Sequence, residues 1–263
     1  MENDIDKQTG LKKISASKVK TFSRCPLQYW FSYVRGLRKP IRVNAVLGSA
    51  CHKGLEENWK YKSISFKDLK IKTILEHFDA AFEERFKKEE VEMGESPKGV
   101  IKDDGCRLLT EYHKNYAPPI QPDAQFVERY FKIPFKNVPY ILVGKIDMAD
   151  VNKLLREYKT GRSKKGMGEL ASNIQLPIYM LGYKQVSGVV PKGFVVEQLT
   201  MLKTKINITQ EVVPPEMMWS QKAVAMMLKS VNAAMEKNAF FPSNNPRICS
   251  WCGFIDECRK GDW

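Results

Sequence analysis

Two carboxylates and a lysine near the middle of the chain have the types and the spacing that metal-dependent hydrolysis requires. Asp147 ends one apolar run, and Glu157 and Lys159 lie two positions apart in the next run. Residues i and i+2 of a β-strand point to the same face, roughly 6.6 Å apart along the strand. Paired carboxylates bind hard divalent cations, and a nearby lysine can stabilise developing charge or orient a water molecule. This combination suits hydrolysis of a phosphodiester.

The apolar runs around these residues predict the two strands that must bring them together. Strands are expected over residues 140–151 and 154–160, and a turn through residues 150–153 would fold the second beside the first. Taken alone, the three charged residues would equally suit a solvated strand face. The strongly apolar flanks favour a cation site, because burying an unpaired charge is expensive.

Further polar residues on predicted helices are candidates for the same site. His52 and Glu56 are one helical turn apart, and His52 is either a metal ligand through its neutral imidazole or a histidine at the edge of the core. Gln175 and Tyr179 also share a helix face. They could contact a phosphate or a base, or belong to an ordinary amphipathic helix. Pro177 should bend that helix unless it lies in the first turn.

The cysteines near the C-terminus predict a metal centre. Cys249 and Cys252 form a Cys-x2-Cys pair, and Cys258 follows closely. Three thiolates need a fourth ligand, for which Cys25, at a predicted helix boundary, is the candidate. Such a spread of ligands favours an iron–sulfur cluster, with zinc, or no metal, as the alternative. The remaining two cysteines lie in predicted helices and are expected to be buried as small hydrophobes.

The rest of the chain predicts helices around a mixed sheet, which is an α/β arrangement. Helices are expected over residues 15–24, 27–34, 46–60, 65–92, 100–115, 169–184 and 217–237, and further strands over 126–135, 193–202 and 206–213. Residues 1–13 are predicted to be a flexible tail, followed by a single domain over residues 14–263. Within it we expect a helical region (14–120), a catalytic sheet core (121–215), and a C-terminal helix and cysteine cluster (216–263) that closes on Cys25.

The charge balance points to a polyanionic partner. The formal net charge is +13, from 43 Lys+Arg against 30 Asp+Glu, which favours nucleic acid over a merely soluble basic protein. No apolar stretch approaches the ~20 residues of a membrane span. The polar N-terminus does not predict a signal peptide, so we expect a cytoplasmic location and no membrane partner.

Together these motifs resemble the RecB-like branch of the PD-(D/E)XK nucleases. They are most similar to its iron–sulfur members, such as the AddB nuclease domain and the CRISPR-adaptation exonucleases. The matching segments, in chain order, are residues 15–26, 48–56, 144–147, 157–159, 175–179 and the three C-terminal cysteines. One departure is visible, because Ile146 precedes Asp147 where the core motif has a proline. That departure is usual in this branch.

The resemblance implies a restriction-endonuclease-like core, in which helices flank a central mixed β-sheet, with an N-terminal helical region and a C-terminal iron–sulfur knuckle. It implies that His52, Asp147, Glu157 and the carbonyl of Tyr158 hold Mg²⁺ or Mn²⁺, and that Lys159 orients or activates the attacking water. By the same resemblance, the remaining site residues are Gln175 and Tyr179 for the DNA strand and Cys25, Cys249, Cys252 and Cys258 for a [4Fe–4S] cluster.

The function that follows is a metal-dependent deoxyribonuclease acting at DNA ends, specifically an exonuclease that prefers single strands. Its settings would be DNA repair, recombination, CRISPR adaptation or phage DNA processing. The end preference comes from the resemblance alone. Duplex substrates would need frayed ends or a partner, such as a helicase, an annealing protein or a CRISPR-adaptation protein. Two alternatives stay open: a non-catalytic iron–sulfur DNA-binding subunit, against which the intact Asp147, Glu157 and Lys159 argue, and an RNase of the same fold.

Overall fold

Both helices and strands are present in the computed structural model, which describes residues 5–202, 205–261 and 263. The strands are β1 Lys12–Ser15, β2 Ile41–Arg42, β3 Val91–Glu92, β4 Pro122–Pro134, β5 Tyr140–Asp150, β6 Leu154–Gly161, β7 Gly193–Met201 and β8 Ile206–Val213. The helices are α1 Ala16–Arg24, α2 Pro26–Tyr29, α3 Val43–Ser65, α4 Ile71–Lys88, α5 Lys98–Asn115, α6 Met167–Ala171, α7 Gln175–Ser187, α8 Gln221–Lys237, α9 Pro246–Cys249 and α10 Ile255–Lys260. A π-helical segment, Trp30–Val34, continues α2, and a 3₁₀ turn, Pro215–Met217, precedes α8.

Six strands form one mixed sheet, in which β5 is the central strand. It runs antiparallel to β4 and β6 and parallel to β1, while β6 is parallel to β7 and β7 antiparallel to β8. Because β4 pairs with β5 along most of its length, β1 and β6 must share the opposite edge of β5. There β1 pairs with residues 140–143 and β6 with residues 148–149. Within the described residues, positions 144–147 face no partner strand on that edge, so the sheet opens at Asp147.

Helices cover both faces of the sheet, each face with its own apolar core. Alternation along β7 separates the two cores, since Phe194 and Val196 belong to one and Leu199 and Met201 to the other. Helices α1, α7 and α8 pack on the first face, and α3, α4 and α5 pack on the second. This arrangement confirms the predicted mixed sheet flanked by helices. No helix in the described part of the chain has both the length and the apolar character needed to cross a membrane.

The N-terminal segment differs from the predicted flexible tail. Residues 1–4 lie outside the described residues, but Asp6 is fully buried and forms an ion pair with Lys132 on β4. Lys12 and Lys13 belong to β1, which adds to the edge of β5. A strand of four residues that includes two lysines has no hydrophobic alternation, so the sequence pattern did not predict it.

The predicted helices exist, but several of their bounds differ. The helix expected over residues 65–92 is shorter, because α3 continues to Ser65 and ends where Phe66 adopts a left-handed conformation, with φ of 61°. The helix expected over residues 169–184 is two helices, with a break at residues 172–174. The helix expected from residue 217 begins at Gln221, because the hydroxyl of Ser220 accepts a hydrogen bond from the N–H of Ala223 and caps it.

Candidate functional site

The hairpin of β5 and β6 brings the two predicted carboxylates to one place. Its register pairs residue 148 with 156 and residue 149 with 155. Asp147 and Glu157 are therefore the next opposing positions, directly beyond the last pair and at the opening of the sheet. Side chains at directly opposed positions are neighbours across the ladder. The hairpin therefore brings the two carboxylates close enough for them to share a ligand.

Asp150 fixes the geometry of this hairpin. One oxygen of its buried carboxylate accepts hydrogen bonds from the N–H groups of Asn152 and Leu154, at 2.9 and 3.1 Å. The other accepts from Nε and Nη2 of Arg156, at 3.1 and 2.9 Å. Arg156 also donates to Glu197 on β7 at 2.6 Å. The turn predicted over residues 150–153 is present, and a buried charge network ties it to the neighbouring strand.

Helix α3 brings His52 to the hairpin from the second face of the sheet. Its Nε2 lies 2.8 Å from the carbonyl oxygen of Tyr158, and its Nδ1 lies 3.3 Å from Oδ2 of Asp147. Gly48, one turn earlier, permits this approach, since a Cβ there would lie 2.9 Å from Oγ1 of Thr160. The small residue therefore lets the helix pack closely enough for the imidazole to reach the strand.

Each carboxylate of the site lies beside a basic side chain of the chain. Glu157 is only 4% exposed and forms an ion pair with Lys159. Burial lowers the pKa of Lys159, but the charges of Glu157 and Asp147 outweigh it, and the pKa is raised above its ordinary value. Burial likewise lowers the pKa of His52, and the contact with Asp147 together with the charge of Glu157 raises it further than burial lowers it. The imidazolium form is therefore favoured beside Asp147.

Helix α7 places the two predicted DNA-contacting residues on the first face of the sheet. Gln175 is the first residue of the helix and is buried, so Pro177 lies in the first turn, where a proline is tolerated. The ring of Tyr179 packs against Phe131 and lies near that of Phe194. Burial raises the pKa of Tyr179, helped by the nearby carboxylates, so its hydroxyl stays protonated.

Two glycines let α7 approach the sheet. A Cβ on Gly144 of β5 would lie 2.4 Å from the ring of Phe131, and a Cβ on Gly182 of α7 would lie 2.5 Å from the same ring. The ring therefore fills the space that side chains at both positions would need. Close packing of helix and strand brings the start of α7 towards the opening at Asp147.

A cleft of about 560 Å³ extends from His52 and Asp147 between α3, α4 and the β4–β5 pair. Its walls carry both signs of charge, and every cation that lines it forms an ion pair with a carboxylate. These pairs are Lys53 with Glu56 and Glu57, Arg85 with Glu89, Lys88 with Glu84, and Lys145 with Glu128. The positive charges of this cleft are therefore already compensated within the chain.

Sequence reasoning missed Lys20 of α1. Its Nζ donates a hydrogen bond of 2.7 Å to Oε1 of Gln175, and its pKa responds to the charges of Lys159 and Glu157. A lysine on a short helix looks like an exposed residue. The available signal was its position four residues after the buried Ala16, which places it beside the buried face of α1.

The donor atoms of the site suit a hard divalent cation, which is the group that the sequence predicted. Asp147, Glu157 and the Tyr158 carbonyl offer oxygen atoms, and His52 offers a nitrogen. The buried Oδ2 of Asp147 has no well-aligned hydrogen bond among the described residues, so it retains acceptor capacity. As placed, no group of three or more His, Cys, Asp or Glu side chains in the described ranges could hold a metal ion. Instead, His52 contacts Asp147 and the Tyr158 carbonyl, and Glu157 contacts Lys159.

The four cysteines predicted to bind a cluster line one small pocket, between the start of α2 and the α9–α10 region. The Sγ of Cys25 accepts hydrogen bonds from the N–H groups of Gln28 and Ser243, at 3.4 and 3.3 Å. All six cysteines are free thiols. The four thiols therefore share one pocket, while the closure of the C-terminal cysteines on Cys25 around a metal, and the identity of that metal, stay predictions.

Comparison with known proteins identifies the superfamily. The chain has no match among curated protein sequences. A candidate exonuclease from Eubacterium rectale has the same fold, with a TM-score of 0.59 and 13% identity over 100% of this chain and 92% of that one. The crystal structure of SSO0001 gives a TM-score of 0.39 and 16% identity over 92% and 94% of the two chains. A family model of the PD-(D/E)XK nuclease superfamily matches residues 13–259, and the chain therefore belongs to this superfamily of nucleases.

Proposed function

We propose that this protein is a metal-dependent deoxyribonuclease that degrades DNA from its ends, with a preference for single strands. One observation carries the proposal. Asp147, Glu157, His52 and Lys159 come together where the sheet opens between β5 and β6. This is a set of hard ligands with an ammonium group beside it, as phosphodiester hydrolysis requires.

In the proposed mechanism, His52, Asp147, Glu157 and the Tyr158 carbonyl hold Mg²⁺ or Mn²⁺. When bound, such a cation would supply a lowered pKa for a water molecule and charge neutralisation for the phosphate oxygens. Lys159, no longer paired with Glu157, donates hydrogen bonds that orient the water and stabilise the charge developing on the phosphate. While Lys159 is paired with Glu157, its pKa is raised and its ammonium form is favoured. Gln175 and Tyr179 position the strand.

The cysteine pocket is proposed to hold a [4Fe–4S] cluster bound by Cys25, Cys249, Cys252 and Cys258. The support is that all four thiols line one pocket, although their sequence positions lie near opposite ends of the chain. A cluster there would fasten the C-terminal segment to the start of α2. Binding energy at such a site contributes directly to the stability of the folded state.

The proposed substrate is DNA with single-stranded or frayed ends. The net charge of +13 favours a polyanion, and a candidate exonuclease shares the fold. For duplex DNA the proposed partner is an unwinding, annealing or CRISPR-adaptation protein. The proposed location is the cytoplasm, and the setting is DNA repair, recombination, CRISPR adaptation or phage DNA processing.

A gel assay with end-labelled single-stranded DNA tests this function. We expect degradation in Mn²⁺ and none in EDTA, with products that shorten from one end. A closed circular single strand is the matched control, because an exonuclease cannot begin on it. End-labelled RNA of the same sequence, assayed in parallel, separates the two enzymes, since a deoxyribonuclease should leave it intact and a ribonuclease should degrade it. Strand cleavage that persists in EDTA would contradict the proposal.

A further inference from the structure

Lys20 is a cation at the candidate site that has no anionic partner among the described residues. It is half-buried where α1 packs on α7, and its hydrogen bond goes to the neutral side-chain oxygen of Gln175, at 2.7 Å. It forms no ion pair with any described residue, unlike the four cations that line the cleft. The carboxylate of Glu157, whose charge acts on Lys20, is already paired with Lys159.

This arrangement leaves the ammonium group of Lys20 without an ion pair of its own among the described residues. Burial lowers the pKa of Lys20, and the neighbouring Lys159 lowers it further, to about 8, against a smaller opposing effect of Glu157. A buried lysine with a structural role elsewhere in the chain shows the contrast, because protein acceptors surround its ammonium group. Lys62 is buried, and it donates to the carboxylate of Asp68 at 2.9 Å and to the carbonyl oxygen of Ala117 at 2.9 Å. An anionic ligand would supply the negative charge that Lys20 lacks among its described partners.

The hydrogen bond between Lys20 and Gln175 also fixes the direction of the amide. An ammonium group can only donate, so the oxygen of Gln175 must face Lys20, and the NH₂ group is left to donate elsewhere. Lys20 and the Gln175 amide are then donors beside two carboxylates that suit a cation. A phosphate diester, which has only acceptor oxygens, matches this set of donors.

We propose that Lys20 binds a phosphate oxygen of the DNA strand at the candidate site, as a second ammonium group beside Lys159. The inference rests on the proposed function, and it assigns to α1 a direct part in substrate binding. Contact with phosphate carries no sequence information, so Lys20 contributes to affinity for any strand.

The salt dependence of DNA binding tests this role. The informative variant is Lys20→Gln, which removes the charge but keeps a donor for the oxygen of Gln175. Binding of a short labelled single strand is measured by fluorescence anisotropy over a series of KCl concentrations, with Ca²⁺ in place of Mg²⁺ and intact DNA verified on a gel. Each lost phosphate contact reduces the slope of log K against log[salt] by about 0.7 for single strands. We expect that reduction for Lys20→Gln, on DNAs of different sequence alike.

Two matched variants separate a phosphate contact from a structural role. Lys20→Arg keeps the charge and should keep the wild-type slope. Lys114→Gln removes an exposed lysine from α5, on the other face of the sheet, and should also leave the slope unchanged. In cleavage assays with Mn²⁺, KM should rise for Lys20→Gln and stay near the wild-type value for the two controls.

A wild-type slope and a wild-type KM in Lys20→Gln would overturn the inference while leaving the proposed nuclease function intact. Failure of the wild type to cleave DNA would overturn the proposed function, and the binding slopes would still decide the role of Lys20. If Lys20→Gln does not fold, as judged by circular dichroism, Lys20→Met takes its place, because it keeps the aliphatic chain and removes the charge. A wild-type slope in that variant would equally overturn the inference.

Discussion

His52 Nε2 lies 2.8 Å from the carbonyl oxygen of Tyr158, the residue between Glu157 and Lys159. Neighbouring side chains of a strand point to opposite faces, so Glu157 and Lys159 point to one face of the sheet and Tyr158 to the other. Helix α3 contacts the backbone of β6 from the second face, while α1 and α7 approach from the first. The candidate site therefore lies where both helical layers meet the opening of the sheet.

The proton on His52 should compete with the metal. Because the pKa of His52 is raised by Asp147, its imidazole holds a proton at a higher pH than an ordinary histidine, and metal binding must release that proton. The affinity for Mn²⁺, measured by calorimetry, should therefore fall as the pH is lowered from about 8 to about 6, by up to about tenfold per pH unit. Below the pKa of His52 the loss should be steepest.

The matched variant for this titration is His52→Asn. It should bind Mn²⁺ more weakly at every pH and show a flatter dependence over the same range, because no imidazolium is left to titrate. A wild-type affinity that is constant between the two pH values would rule out His52 as a ligand that must lose its proton.

Lys159→Ala should separate binding from catalysis. The lysine is proposed to act on the water and on the charge of the transition state, so its removal should lower kcat by about 10²–10⁴ while leaving the Kd for DNA in Ca²⁺ nearly unchanged. Single-turnover cleavage and anisotropy measure the two quantities. Lys114→Ala serves as the control for loss of a surface charge. Cleavage at the wild-type rate by purified Lys159→Ala would exclude the assigned role.

Cys258→Ser should abolish the proposed cluster. Protein purified without oxygen should show the broad visible absorbance of an iron–sulfur centre, and the variant should be colourless and less stable, because one of four ligands is lost. Cys106→Ser, on α5 and outside the cysteine pocket, should keep the colour. A coloured and stable Cys258→Ser protein would remove this residue from the ligand set, and zinc in place of iron by elemental analysis would replace the cluster with a zinc site.

The buried charge network of the hairpin should contribute strongly to stability. Asp150→Ala would leave Arg156 with only one of its two carboxylates and would leave two N–H groups of the turn without their acceptor. The free energy of unfolding, measured with urea, should fall by about 3 kcal/mol. Val151→Ala, at an exposed position of the same turn, should change it by less than about 0.5 kcal/mol. Similar midpoints for the two variants would contradict the role given to Asp150.

The hairpin was predictable because its signals are local. Apolar runs marked both strands, and the turn predicted between them would bring Asp147 and Glu157 to one place. The break before α7 was less visible, because residues 172–174 contain no glycine or proline. Its one local signal is Asn173, whose side chain accepts a hydrogen bond of 3.2 Å from the N–H of Gln175.

The sequence pattern could not predict the contacts between segments that are distant along the chain. The approach of His52 to Tyr158 depends on how closely α3 packs on β6, and hence on a steric detail at Gly48. The exposure of Lys20 depends on α7 covering α1, which no periodicity within α1 reveals. The motif resemblance supplied His52 and Gln175 as site residues, but it did not supply the lysine that contacts Gln175.

The most direct test of the site is the rate of single-stranded DNA degradation against Mn²⁺ concentration, measured side by side for the wild type and Asp147→Asn. The substitution removes the charge of one ligand while nearly preserving its shape. We predict metal-dependent degradation by the wild type and none by Asp147→Asn, with both proteins binding DNA in Ca²⁺. Equal rates for the two proteins at every Mn²⁺ concentration would contradict the assignment of this site.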